Sequence, residues 1–204
     1  VLARFTETGA AVLLTEHAYA PEHDNSARSG RFCVQFLTMV RGASDVPRRW
    51  WQERCLEWCY ARVEDGRFGD QGYLEDWPER YGPLIHIVPD GGAFQAPWNA
   101  TRFPYSEAVA YHFHGLRLAA GHRVLLNQHA RYRLPAPHLK HVYRPYLEDL
   151  AVAVRLIEAT GRSIAPQVDR ARPVRERGPG LRKRIARWRG SPYAPSPRSV
   201  VRLP

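Results

Sequence analysis

The chain has 204 residues, 44% of them hydrophobic and six of them tryptophan, which is enough apolar material for one sizeable core. Its formal net charge is +10 at pH 7, yet residues 1–160 hold 18 basic and 18 acidic side chains, so the excess lies in residues 161–204, with 12 basic and 2 acidic. No run reaches the ~20 apolar residues of a membrane-spanning helix, and no basic segment followed by an apolar one opens the chain. Composition therefore argues against a membrane-spanning or secreted protein.

The three cysteines, Cys33, Cys55 and Cys59, are too few and too oddly numbered for a disulfide framework. Their number indicates a reducing compartment, and a cytoplasmic location is expected. Cys55 and Cys59 stand four residues apart in an apolar helical pattern, where two buried core thiols are favoured over a zinc pair because no second Cys/His pair has suitable spacing. Since the chain opens at Val1 without a methionine, we expect a missing amino-terminal portion.

Apolar runs and helical patterns alternate along the first 160 residues. The runs predict buried strands at residues 10–15, 31–37, 84–88 and 108–113. One helix is predicted from Asp45 to a stop at Gly66, with an aromatic and thiol stripe that comprises Trp51, Cys55, Trp58 and Cys59. A second helix is predicted from Pro145 to Gly161. This order predicts one α/β body over residues 1–160.

Residues 161–204 form a basic tail interrupted by seven prolines, and this composition predicts disorder for most of it. Within the tail, residues 181–188 read Leu-Arg-Lys-Arg-Ile-Ala-Arg-Trp, a basic amphipathic segment suited to peripheral contact with the inner, anionic face of a membrane. A solvated tail is the favoured alternative, because so short a helix is marginal alone.

The segment Gly69-Asp70-Gln71 places a carboxylate and an amide where a glycine-rich loop turns into a short helix. Side chains at such a turn can project into a cleft. The alternative is that Asp70 merely caps the helix by accepting a backbone N–H.

His112 and His114 end a predicted strand, and the alternation of side chains places them on one face. Each offers an imidazole to a divalent cation, and one alone would suffice. The alternative is a pair of ordinary hydrogen-bonded histidines, since no carboxylate lies beside them in the sequence.

Several multi-residue motifs follow one another in a recognisable order. They are Trp50-Trp51, Cys55-Leu56-Glu57-Trp58-Cys59, Phe68-Gly69-Asp70-Gln71, Tyr73-Leu74, Trp77-Pro78, Ala96-Pro97-Trp98-Asn99 and Phe113-His114-Gly115. The chain resembles, over residues 1 to about 150, the carboxy-terminal half of bacterial nucleotide-diphospho-sugar glycosyltransferases. More distantly, Asp70-Gln71 and His112-Phe113-x-Gly115 are similar to elements of glycosyltransferase family 8.

The resemblance implies an α/β fold of partial GT-A type, a mixed sheet flanked by helices, that binds a nucleoside-diphosphate sugar through Mn²⁺ or Mg²⁺. The implied acceptor is a polysaccharide or a lipid-linked glycan. By motif position, Asp70 and Gln71 would serve the reacting sugar, and His112, with His114 second, would bind the metal. Implied substrate-binding residues are Gly69, Trp98, Asn99 and Gly115. For Trp98 and Asn99 a purely structural turn is equally consistent with the sequence.

One departure from the family pattern affects the function. No Asp-x-Asp occurs in the chain, although such enzymes use that pair to hold the metal. A non-catalytic or truncated remnant of the same fold is therefore the second hypothesis. A nucleic-acid-binding protein that acts through its arginine tail is the third, and no nucleic-acid partner is expected, because the body shows no binding module and no basic, aromatic-interleaved face.

Overall fold

The computed structural model describes residues 1–119, 122–127, 132–162, 164 and 200–204. The chain divides into two compact units, Val1–Ala110 and Tyr111–Pro204. Both belong to a mixed α/β architecture with small sheets and short helices. The domain division made from the sequence, one body over residues 1–160 followed by a tail, stays a prediction.

The helices and strands are short. The α-helices are α1 (Leu2–Glu7), α2 (Ser26–Ser29), α3 (Asp45–Glu57), α4 (Trp77–Tyr81), α5 (Ala136–His138) and α6 (Arg144–Ala159), with a π-helical segment at Leu139–Tyr143. The strands are β1 (Val12–Glu16), β2 (Phe32–Met39), β3 (Val63–Glu64), β4 (Arg67–Phe68), β5 (Ile85–Ile87), β6 (Phe94–Gln95), β7 (Ala110–Tyr111), β8 (Arg117–Ala119), β9 (Arg123–Leu125) and β10 (Val200–Arg202). Short 3₁₀ helices lie at Pro21–His23, Gln71–Leu74, Gly82–Leu84 and Tyr105–Glu107.

The main sheet of the first unit has the strand order β2-β1-β5, in which β1 pairs antiparallel with β2 and parallel with β5. The central strand β1 is the most apolar one, and its residues Val12, Leu13 and Leu14 are fully buried. Side chains alternate between the faces of a strand. Accordingly Leu13 packs into one core cluster with Phe5, while Val12 and Leu14 pack into the other. The predicted strands at 10–15, 31–37 and 84–88 are confirmed.

The helix α3 ends at Glu57, nine residues before the predicted stop at Gly66. The chain then forms a hairpin, in which β3 pairs with β4 across Asp65 and Gly66, both at positive φ (+50° and +75°). A two-residue turn of type I′ requires positive φ at both positions, and Asp-Gly is among its preferred sequences. Cys59 lies beyond the end of α3 and is exposed, and Cys55, on α3, is only partly buried, so the prediction of two buried core thiols is wrong.

A carboxylate fastens the start of β2 to the segment that follows the 3₁₀ helix at Gln71–Leu74. Glu75 Oε1 accepts the backbone N–H groups of Arg31 at 2.7 Å and Phe32 at 3.1 Å. The preceding residue, Gly30, has φ +80° and ψ 174°, a backbone conformation that residues other than glycine rarely adopt. A Cβ atom at Gly30 would overlap Glu75 Oε1.

Replacing Gly30 with alanine is therefore expected to lower the free energy of unfolding by about 2 kcal/mol, through backbone strain and the displaced carboxylate. The control is Gly9→Ala, at φ +69° with no atom within 4 Å of the added Cβ, where about 1 kcal/mol is expected from the backbone alone. Urea denaturation measures both values. Equal losses would contradict a fastening role for Glu75.

In the second unit, β8, β9 and β10 form an antiparallel sheet. Its core includes Val124, Leu126, Tyr143 and Leu147, the last of which lies on α6. The predicted helix from Pro145 is confirmed within one residue at its start and two at its end. The strand β10 differs from the prediction of a disordered tail at residues 200–202. The rest of that tail, including the basic segment 181–188, lies outside the described residues.

Among the helices of the described ranges, none is long and apolar enough to span a membrane.

Candidate functional site

The loop that carries Asp70 is held by its backbone. Gly69 has φ +54°, and its N–H donates to the carbonyl of Tyr60 at 3.0 Å. The carbonyl of Asp70 accepts the indole N–H of Trp51, on α3, at 2.9 Å. Asp70 occupies the N-cap position of the 3₁₀ helix at Gln71–Leu74, yet its side chain makes no capping hydrogen bond. The capping role that competed with a chemical one is thus absent.

The carboxylate of Asp70 accepts no hydrogen bond and forms no ion pair with any residue that the structure describes, and the residue is partly buried. The side chain of Gln71 is fixed differently, because its Nε2 donates to the carbonyl of Ser29 at 2.7 Å. That bond ties the loop to the end of α2 and leaves the amide oxygen as an acceptor. The loop therefore presents two acceptor groups, the carboxylate of Asp70 and the amide oxygen of Gln71, on a backbone that hydrogen bonds hold from both sides.

Two thiols lie in the electrostatic field of Asp70. Burial raises the pKa of Cys33 to about 12, and the negative charge of Asp70 adds to the rise. Burial likewise raises the pKa of Cys55 to about 12, with further contributions from Cys59 and Asp70. Both side chains stay protonated well above neutral pH. Cys33 and Cys55 are therefore neutral thiols and poor nucleophiles.

Trp98 and Asn99 lie in the same unit, but the protein itself uses their polar groups. Trp98 Nε1 donates to the carbonyl of His17 at 2.9 Å, and Asn99 Nδ2 donates to the same oxygen at 3.1 Å. Asn99 Oδ1 accepts the N–H of Ala96 at 2.8 Å, and Nδ2 also donates to the carbonyl of Phe94 at 3.2 Å. Both side chains are buried. This geometry favours the structural turn over a stacking face for a sugar.

His112 and His114 follow the end of β7 at Tyr111, so strand alternation does not bring them together. A tight turn does: the N–H of His114 donates to the carbonyl of His112 at 2.7 Å, and the two ring centroids lie 5.6 Å apart. Gly115 continues the turn with φ +75°, and the N–H of Leu116 donates to the carbonyl of Phe113 at 3.0 Å. The two imidazoles are neighbours, as the sequence predicted, for a different geometric reason.

The electrostatics of this turn favour a neutral ring at position 112. Although the residue as a whole is exposed, surrounding protein atoms desolvate the imidazole and lower the pKa of His112 below its ordinary value. Only a neutral imidazole can coordinate a metal. The described residues contain no cluster of three or more His, Cys, Asp or Glu side chains able to hold a metal ion.

The predicted site residues fall in both units. Gly69, Asp70, Gln71, Trp98 and Asn99 belong to Val1–Ala110, and His112, His114 and Gly115 belong to Tyr111–Pro204. Within the first unit, the structure shows that Asp70 and Gln71 share one braced loop. Within the second, it shows that the two histidines and Gly115 share one tight turn.

Sequence reasoning missed one surface next to Asp70. In the hairpin that precedes it, Arg62 Cζ lies 4.6 Å from the ring centroid of Tyr60, and Arg67 Cζ lies 4.8 Å from that of Trp58. This hairpin interleaves arginine with aromatic side chains, but Arg62 pairs with Glu64 and Arg67 pairs with Asp65, so its charge is balanced. The Asp65-Gly66 dipeptide was the signal that could have revealed it.

Comparison with known proteins finds similarity to two proteins of Bacillus subtilis (strain 168). The chain is 28% identical over 156 residues to the uncharacterized protein YfnD, a match that covers 69% of this chain and 50% of YfnD. It is 31% identical over 101 residues to the uncharacterized protein YfnF, which covers 44% of this chain and 33% of YfnF. No family model and no solved structure matches. The chain therefore spans about half the length of one of these relatives and a third of the other.

Proposed function

We propose that this chain is part of a bacterial nucleotide-sugar-dependent glycosyltransferase with a partial GT-A fold. It would transfer a sugar from a nucleoside-diphosphate donor to a polysaccharide or lipid-linked glycan. The observation that carries the proposal is the carboxylate of Asp70, which stands without a hydrogen-bond partner among the described residues on a loop fixed by Trp51 and Tyr60. Because the backbone of this half-buried residue is held by hydrogen bonds and its carboxylate is not, the carboxylate is suited to interact with a substrate.

The proposal gives each candidate group a role of its own. Asp70 and the amide oxygen of Gln71 accept hydrogen bonds from sugar hydroxyls beside the reacting carbon. The neutral ring of His112 serves as a ligand for Mn²⁺ or Mg²⁺, with His114 as the second candidate. When bound, the cation would neutralise charge on the departing diphosphate. The buried pair Trp98 and Asn99 would anchor their own turn rather than contact the acceptor.

The location remains part of the proposal. An enzyme that acts on a lipid-linked acceptor and uses a cytoplasmic nucleotide sugar would work at the inner face of the membrane. The basic segment 181–188, which lies outside the described residues, is the part of the chain with the charge and amphipathic pattern for such contact. No nucleic-acid partner is part of this proposal.

Release of nucleoside diphosphate from a panel of nucleotide sugars, with and without MnCl₂ or MgCl₂, tests the proposal on the protein in its complete natural reading frame. We expect cation-dependent release. Because His112→Ala removes a ligand nitrogen, the apparent affinity for Mn²⁺ should fall by at least about 100-fold. The control is His141→Ala, an exposed histidine of the same unit. No release with any donor, or identical rates for the two variants, would contradict the proposal and favour a non-catalytic remnant.

A further inference from the structure

The hairpin after α3 carries two aromatic rings, each stacked against an arginine. Tyr60 and Trp58 meet edge to face, with ring centroids 5.6 Å apart at an interplanar angle of 80°. The guanidinium of Arg62 lies over Tyr60, and that of Arg67 lies over Trp58. We call these four residues, Trp58, Tyr60, Arg62 and Arg67, the hairpin face. They lie next to one another in the order Arg62, Tyr60, Trp58, Arg67.

The hairpin face is fixed to the segment that holds Asp70. The carbonyl of Trp58 accepts the hydroxyl of Tyr73 at 2.8 Å, and the carbonyl of Tyr60 accepts the N–H of Gly69 at 3.0 Å. Trp58 Nε1 donates to Glu64 Oε1 at 3.1 Å, which closes the hairpin from within. Because these bonds hold the backbone of the hairpin and the indole of Trp58 in place, a ligand would meet a preorganised surface next to the Asp70 loop.

The charge of the hairpin is balanced. Between Cys59 and Gly69 the chain has two arginines and two carboxylates, and each arginine has a partner: Arg62 Nε lies 2.6 Å from Glu64, and Arg67 lies 3.1 Å from Asp65. A surface that binds a polyanion such as nucleic acid needs an excess of unpaired cations. The hairpin as a whole lacks that excess, because Glu64 and Asp65 balance the two arginines of the hairpin face, and it therefore suits a partner without net charge.

The hairpin face exposes the ring of Tyr60 together with the side chain of Arg62, which is 58% exposed. Tyr60 is 54% exposed and the adjacent Val63 is 55% exposed, whereas Trp58 is only 7% exposed and serves as the base of the stack. A sugar ring combines an apolar face, which packs on an aromatic ring, with hydroxyl groups that donate and accept hydrogen bonds. The ion pairs beside Tyr60 offer both guanidinium donors and carboxylate acceptors at their rim. A neutral carbohydrate chain thus matches both the exposed ring and the balanced charge.

We propose that the hairpin face is a docking surface for a neutral glycan chain, with Tyr60 as its stacking platform. The inference deepens the proposed function, on which it rests for its biological role: the face would hold the acceptor glycan where its end reaches the Asp70 loop. Binding itself requires neither a sugar donor nor a metal ion, so it can be measured independently of transfer.

The test titrates the full chain with neutral oligosaccharides, namely maltoheptaose, cellohexaose and mannopentaose, and follows tryptophan fluorescence, to which Trp58 beside Tyr60 contributes. We expect saturable binding of at least one of them. Tyr60→Ala should weaken it by about tenfold or more, and Tyr60→Phe, which keeps the ring, should retain it. Circular dichroism and thermal melting of each variant separate a binding defect from unfolding.

The chain offers a matched control for the arginine of the face. Arg80 Cζ lies 4.6 Å from the ring centroid of Trp50, and its guanidinium pairs with Asp76 at 2.6 Å, which repeats the geometry of Arg62 on Tyr60 and Glu64. Arg62→Ala should weaken glycan binding, and Arg80→Ala should not. Equal effects of the two variants would overturn the assignment.

Other outcomes are also decisive. Absence of binding by all three oligosaccharides overturns the inference, as does binding of a single-stranded RNA oligonucleotide that depends on Tyr60 while no glycan binds. Glycan binding without any nucleotide-sugar turnover would leave the docking surface standing and contradict the proposed function. Turnover that Tyr60→Ala leaves unchanged at limiting acceptor would support the enzyme and overturn the docking surface.

Discussion

Replacing Asn99 with alanine is expected to lower the free energy of unfolding by about 3 kcal/mol, because the buried N–H of Ala96 loses its acceptor and a cavity replaces the amide. The side chain is fully buried and makes three hydrogen bonds, to Ala96, His17 and Phe94. The carbonyl of His17 would keep the indole N–H of Trp98, so the orphaned donor is the larger part of the cost. Chemical denaturation measures the change.

The outcome also decides between the two interpretations of Asn99. If the amide bound an acceptor sugar, Asn99→Ala would raise KM for the acceptor at nearly unchanged stability. If it anchors the turn, activity and binding should decline only in parallel with the folded fraction. The control is Asn25→Ala, which removes one hydrogen bond to Ser29 from a partly buried amide and should cost about 0.5 kcal/mol. Equal stability of the two variants would contradict the anchoring role.

The elements that sequence reasoning placed well are those whose signal is local. Val12, Leu13 and Leu14 form an uninterrupted apolar run, which occurs in strands buried on both faces, and β1 is the central strand of its sheet. Helix α6 shows the 3.6-residue period through Leu147, Ala151 and Val154, and these residues are the buried ones. In both elements the pattern of apolar residues along the chain was enough to predict whether a strand or a helix forms.

Sequence reasoning missed the elements in which a helix competes with a hairpin or in which a strand pairs with a partner far away in the sequence. The apolar period of α3 continues through Trp58 and Cys59, but the hairpin turn at Asp65 and Gly66 requires an extended chain before it, and Trp58 is already extended. Strand β10 pairs with β9, 75 residues earlier. A short Val-Val-Arg segment contains no local signal for so distant a partner. The prolines and charge of the surrounding tail, residues 161–204, favoured disorder.

The candidate site was only partly predictable for a related reason. Residue types showed that Asp70, Gln71 and the histidines could carry chemistry, but not which of their polar groups the fold would consume. The structure engages Gln71 Nε2, Trp98 and Asn99 internally and leaves the carboxylate of Asp70 without a hydrogen bond from the described residues. Hydrogen-bond satisfaction depends on which backbone groups approach, and that is a tertiary property.

Under the proposed function, Asp70→Asn is expected to lower the rate of sugar transfer by about 100-fold or more, because the amide keeps the shape of the side chain but removes its charge. Stability should change little, since no described residue bonds to the carboxylate and its backbone contacts with Trp51 are preserved. The rate of nucleoside diphosphate release measures the effect. The control is Asp149→Asn, which removes an exposed carboxylate from α6 and should act like the unmodified protein.

The same variant gives a second result that does not depend on knowing the donor. Because the charge of Asp70 helps to raise the pKa of Cys55, its removal should lower that pKa from about 12. Alkylation of Cys55 by iodoacetamide should then begin at a lower pH in Asp70→Asn than in the unmodified protein or in Asp149→Asn. An unshifted alkylation profile would show that the carboxylate does not face the thiols. A shifted profile together with unchanged turnover would mean that the charge of Asp70 lies near Cys55, as in the structure. It would also mean that this charge does not contribute to the reaction.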